Sequence, residues 1–159
     1  MLQRGAWHSL YRQPMMGAMD DIVADQIGYY RARAAEYDEW WFRSNRFDEG
    51  VESNARWFGE VADAEAVLAA AGPRGNALEI ACGTGLWTRH LAPKVERLLA
   101  LDAAAEPLAI ARTRVNAPNV TYLEADIFSW QPRERYDFIF FGFWISHIRA
   151  RSGSVSGNC

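Results

Sequence analysis

Residues 77–87 read Ala-Leu-Glu-Ile-Ala-Cys-Gly-Thr-Gly-Leu-Trp. The apolar run Ala77 to Ala81 has the length of a buried strand, Gly83-Thr84-Gly85 is a turn, and Leu86 to Ala92 predicts a helix that Pro93 ends. A strand feeding a helix through such a turn gathers the backbone N–H groups of Gly83 to Leu86 at a helix N-terminus, where an anion can bind. Glycine is wanted because the ligand must approach the backbone closely and a Cβ would block it.

The same period recurs downstream. Leu98 to Leu101 is a second short apolar run, closed by Asp102, and Ala104 to Val115 returns to helical spacing through Leu108, Ala111 and Val115, with Pro107 in the first turn where it is tolerated. Asn116 to Asn119 is a turn, Val120 to Leu123 a third strand, and Tyr136 to Phe141 a fourth. Upstream, Ala24 to Trp41 carries Ile27, Tyr30, Ala34, Tyr37 and Trp41 on one helical face. After Ser44 to Gly50, the set Trp57, Val61, Ala64, Leu68 and Ala71 repeats that spacing and stops at Gly72-Pro73. Two amphipathic helices followed by strands alternating with helices predict an α/β fold, a Rossmann-like doubly wound parallel sheet.

Composition narrows the classes of function. The 159 residues are half hydrophobic and 23% charged, enough for one ordinary domain with a sizeable core. Seventeen basic against twenty acidic residues, a formal charge of −3, argue against nucleic acid as the main partner. No apolar stretch reaches the roughly 18 residues of a membrane span. Cys82 and Cys159 are too few for a disulfide framework or a zinc cluster, so no metal is expected and a cytoplasmic setting is the default. Residues 1–19, with Arg4 and Arg12 but no acid, read as a disordered leader, residues 20–148 as the folded domain, and the Gly/Ser-rich residues 149–159 as a disordered tail.

Carboxylates follow the first three strands. Asp102 comes 17 residues after Gly85, where in a doubly wound sheet it can accept from both hydroxyls of a ribose; it can equally cap the helix after it. Glu124-Ala125-Asp126-Ile127 puts an acceptor carboxylate and an apolar side chain at the same strand-end edge, a pair suited to the amine and the face of an adenine. A glycine turn alone is weak, since it also occurs in nicotinamide- and flavin-binding folds and as a plain strand-to-helix connection.

Taken in order, LEIACGTG, LDAAAEPLAIAR, YLEADIF and RYDFIFFGFWISHI resemble the motifs of the class I S-adenosylmethionine-dependent methyltransferases, and YYRARAAEYDEWW resembles the helix that lies over the cofactor in many members. The resemblance covers roughly residues 27–148. It implies S-adenosylmethionine as cofactor, contacts from Glu79, Ala81, Gly83, Thr84, Gly85, Asp102, Asp126 and Ile127, and methyl transfer to an acceptor expected to be a small molecule. Glu79 would lie near the methionine amino group. Thr88 stands where a nicotinamide enzyme prefers a third glycine, and the sole lysine, Lys94, has His90 four residues before it, so no Tyr-x-x-x-Lys pair exists. A cofactor-binding fragment without catalysis and a nicotinamide-dependent oxidoreductase remain as alternatives.

Methyl transfer from a sulfonium needs alignment and exclusion of water more than a base. His147 follows the fourth strand on the ligand side of such a sheet, but it reads equally as a capping or exposed residue, and no catalytic residue is assigned. Tyr29, Tyr30, Arg33, Tyr37, Trp40 and Trp41 could line a lid, although the spacing of Tyr30, Tyr37 and Trp41 favours packing on the sheet. Trp144 adjoins the same region without an assigned role. Family members continue through three more strands, so the resemblance also implies a sheet incomplete in its C-terminal half. The fourth strand would then be an apolar edge prone to self-association.

Overall fold

The computed structural model describes residues 36–142. The chain divides into two compact units, Met1–Asp48 and Glu49–Cys159. In the described part of the first, residues 36–41 are helical and Asn45–Phe47 form a 3-10 turn. The helix ends where Arg43 takes a left-handed φ of +50°. Arg46 bonds Glu36 at 2.6 Å and Asn45 donates to Glu39 at 3.0 Å, while Trp40 packs beside Tyr37 with the Arg43 guanidinium 5.7 Å from its ring. The remainder of the expected first helix, with Tyr29, Tyr30 and Arg33, lies outside the described residues, as do Trp144, His147 and the segments 1–19 and 149–159.

The second unit opens with helix α1, Val51–Ala70. It starts well before the periodic set that begins at Trp57, because the Gly50 carbonyl already accepts from Asn54. Val61 and Leu68 are buried as the spacing requires, and Gly72, at φ +67°, ends the helix just before Pro73. Strand β1, Asn76–Ile80, leads through the glycine turn to the short helix α2, Thr88–Leu91, and a 3-10 turn at Ala92–Lys94. The expected seven-residue helix is thus only one α-turn, since residues 83–87 are spent in turns. Strand β2, Arg97–Asp102, helix α3, Ala105–Arg114, strand β3, Val120–Glu124, and strand β4, Phe138–Phe141, follow in sequence.

The four strands form one parallel sheet in the order β3-β2-β1-β4. That is the α/β Rossmann-like architecture read from the sequence, with the order reversing between β1 and β4. Register sets Glu79 beside Ala100 and Phe140, and Ala100 beside Tyr122, on one face. Helices α2 and α3 cover this face: Thr88 bonds Glu79, Trp87 packs on Phe140 at 5.5 Å, and Leu108 clusters with Cys82 and Ala100 against Val120 and Tyr122. On the opposite face Leu78 and Leu101 are buried, whereas Ile139 and Phe141 of β4 are 53% and 45% exposed. Among the described residues no helix is long and apolar enough to cross a membrane.

Candidate functional site

Where β1 ends, the backbone turns through three left-handed residues: Ala81 at φ +55°, Gly83 at +54° and Gly85 at +82°. Cys82 N–H donates to the Leu101 carbonyl at 3.0 Å, tying the turn to β2, and Gly85 N–H donates to the Cys82 carbonyl at 3.0 Å, closing it. A Cβ in the left-handed region costs roughly 1–2 kcal/mol, so Ala81 is held there against its preference. The two glycines serve different needs. A Cβ on Gly85 would lie 3.0 Å from the Ala111 Cβ and 3.1 Å from its Cα, so this glycine lets the turn rest on α3. A Cβ on Gly83 would meet nothing within 4 Å. The close helix approach that a third glycine at position 88 would permit is therefore made at Gly85.

Thr88 has another task. Its hydroxyl donates to Glu79 Oε2 at 2.6 Å, and the two side chains are 0% and 1% exposed. Burial pushes the Glu79 carboxyl up to about 8; the Thr88 bond opposes this and the nearby Asp102 adds to it. Glu79 lies beneath the turn, inside the protein. Burial likewise pushes the Cys82 thiol up, helped by the charges of Glu79 and Asp102.

Asp102, at the end of β2, is the junction of the site. Its Oδ2 accepts the Gly83 N–H at 2.8 Å, its Oδ1 accepts the Ala104 N–H at 3.0 Å, and its carbonyl accepts the Ala125 N–H at 2.9 Å. Asp102 is not itself the cap of α3, a position that Ala104 takes without a side-chain cap bond; it stands two residues earlier and ties the Ala104 N–H to the glycine turn. Burial raises its carboxyl, and the backbone N–H groups of Gly83, Ala104 and Ala103 pull the other way. Asp126 and Ile127 stand half-buried at the end of β3, one strand further out; Asp126 Oδ1 accepts the Phe128 N–H at 3.0 Å and its carbonyl accepts from Ser129 and Trp130. The structure thus brings residues 81–85 and Asp102 into one cluster and sets Asp126 and Ile127 beside it along the sheet edge.

Three contributors carry no signal in the sequence. Arg114 donates to Thr84 Oγ1 at 2.8 Å and to its carbonyl. Trp87 sits so close to the end of β4 that a Cβ on Gly142 would lie 2.9 Å from its Nε1. His90 meets Glu65 of α1 at 3.1 Å, and burial foremost lowers its imidazole. Each joins residues that no motif spacing links.

Residues 77–154 match the family described as Methyltransferase domain. Nodulation protein S of Sinorhizobium fredii is 31% identical over 113 residues, 69% of this chain and 47% of that protein. Malonyl-[acyl-carrier protein] O-methyltransferase of Bacillus anthracis is 42% identical over 65 residues, 39% of this chain and 24% of that one. The solved DhpI-SAH complex superposes with a TM-score of 0.63 at 36% identity, over 79% of this chain and 55% of DhpI. The chain therefore spans less than half the length of these two curated relatives. That domain match, over just under half of the chain, and that superposition make the chain similar to the S-adenosylmethionine-dependent methyltransferases.

Proposed function

We propose that this chain binds S-adenosylmethionine beyond the C-terminal ends of β1, β2 and β3 and serves methyl transfer to a small-molecule acceptor. The observation that carries the reading is the uncovered backbone at Gly83, where a Cβ would meet nothing, directly beside the Asp102 carboxylate. A ligand can approach the main chain there. A carboxylate offers about four acceptor positions, and the N–H groups of Gly83, Ala104 and Ala103 bear on Asp102, which leaves an acceptor position for a ribose hydroxyl. Since the Gly83 N–H is spent on Asp102 and the Gly85 N–H on the Cys82 carbonyl, the methionine carboxylate in this reading is met by other N–H groups of the turn. Asp126 and Ile127 supply an acceptor and an apolar surface for the adenine. Glu79, buried and bonded to Thr88, braces the turn from below in this reading, on the side where the methionine amino group is expected. The cofactor, when bound, supplies the electrophilic methyl group. The chain's own residues orient it and exclude water. The methyltransferase-domain match and the name of the malonyl-[acyl-carrier protein] relative support methyl transfer as the activity.

The test is calorimetric titration of the chain with S-adenosylmethionine and, separately, with NAD. Binding of the first alone is expected, weakened roughly tenfold or more in Asp102→Asn, the scale of a lost charged hydrogen bond. A folded sample that binds only NAD, or neither ligand, would sink the reading.

A further inference from the structure

We propose that Arg114, in the last turn of α3, is a positioning residue that holds the glycine turn in its ligand-ready shape through Thr84; this rests on the cofactor reading above. Arg114 Nη1 donates to both the hydroxyl and the main-chain carbonyl of Thr84, thirty residues away in sequence. Thr84 is only 2% exposed, so its hydroxyl is directed at the guanidinium and not at solvent. Ala111, one helical turn before Arg114, is the surface on which Gly85 rests. One face of α3 therefore grips two successive residues of the turn, by shape at Gly85 and by a charge-assisted bond at Thr84.

The helix is itself anchored. The Tyr122 hydroxyl lies 3.0 Å from the carbonyls of both Ala111 and Val115, and burial foremost pushes its phenol up to about 12, so it remains a donor at neutral pH. Arginine does not lose its proton in proteins, which makes this grip independent of pH. The path runs from β3 through Tyr122 to α3, and from α3 through Arg114 to the turn. A turn fixed from behind keeps its shape before a ligand arrives, and less ordering is required on binding.

Four variants test this: Arg114→Met, Arg114→Lys, Thr84→Val and Thr84→Ser, each titrated with S-adenosylmethionine, melted, and followed by amide hydrogen exchange at residues 83–86. Arg114→Met is expected to weaken binding at least tenfold and to speed exchange at those amides at least tenfold, while other protected amides of the sheet keep their rates. Thr84→Val, which keeps the carbonyl and the side-chain shape, should lose severalfold, and Thr84→Ser should restore wild-type affinity. Arg114→Lys keeps the charge but cannot match the planar geometry, and should fall between wild type and Arg114→Met. Affinity within twofold of wild type in Arg114→Met and Thr84→Val, with only Tm lowered, would reduce Arg114 to a structural role and overturn the proposal. If Arg114→Met does not fold, the Thr84 pair decides. If wild type binds no S-adenosylmethionine, the cofactor reading fails, and exchange rates in the absence of ligand decide on Arg114 alone.

Discussion

The two ends of the sheet are built from the same parts and put to different use. At the N-terminal edge Gly75 has a φ of +60°, and Asp137 accepts the neighbouring Asn76 N–H at 2.8 Å. At the C-terminal edge Gly83 has a φ of +54°, and Asp102 accepts its N–H at 2.8 Å. A Cβ on Gly75 would lie 2.3 Å from Asp137 Oδ2, and Asn76 further bonds the Arg135 carbonyl, so that end is filled. The corresponding position above Gly83 is open. A left-handed glycine with an aspartate beside it is thus no signature of a site by itself; the space over the α-carbon separates a closure from a cradle.

Substitutions can break that contrast. Gly75→Ala carries the largest expected effect, about 3 kcal/mol, from left-handed strain plus displacement of Asp137 and its bond to Asn76. Gly83→Ala should cost only the conformational part, about 1–2 kcal/mol, yet weaken S-adenosylmethionine binding, which Gly75→Ala should not do as far as it folds. Urea unfolding with calorimetry on both checks this, and equal stability losses would remove the distinction.

Glu79 sharpens the picture of the open end, because the turn there stands on a buried carboxyl. Its folded pKa of about 8 lies above the ordinary 4.5, so the folded state favours the protonated form. The stability this contributes is full below about pH 4.5 and is lost as pH rises to about 8. Glu79→Gln keeps an acceptor for Thr88 and cannot ionise. Its Tm should exceed that of wild type by roughly 5 °C at pH 8, with the gap closing toward pH 5. Parallel Tm curves for the two proteins would contradict the buried, protonated carboxyl. The smallest effect is expected for Ala81→Gly, where relief of left-handed strain outweighs the added backbone entropy and stabilises by about 0.5–1 kcal/mol, read by urea unfolding.

Much of the frame was legible because it is written in period and punctuation. Short apolar runs alternating with helical spacing predict the parallel sheet, and Gly72-Pro73 marks the end of α1 where it occurs. Gly83 and Asp102, each read from the end of its own strand, are joined by a hydrogen bond. The extent of α2 was not legible, since Leu86 and Trp87 look helical while the chain is still in turns there. Nor was the grip of Arg114 on Thr84, because an arginine late in an amphipathic helix reads as a solvated residue. Ala81 hides its left-handed backbone for a similar reason: alanine gives no sign of it, whereas glycine does. Local rules describe local structure, and contacts across thirty residues depend on where the elements come to rest.

Cys82 gives the glycine turn a built-in clock. Its thiol is buried against Ala100 and Leu108, and burial pushes it far from the reactive thiolate, so an alkylating reagent can reach it only when the turn lifts off the sheet. With Cys159 replaced by serine, the labelling rate of Cys82 counts those openings one molecule at a time, without ligand, substrate or turnover.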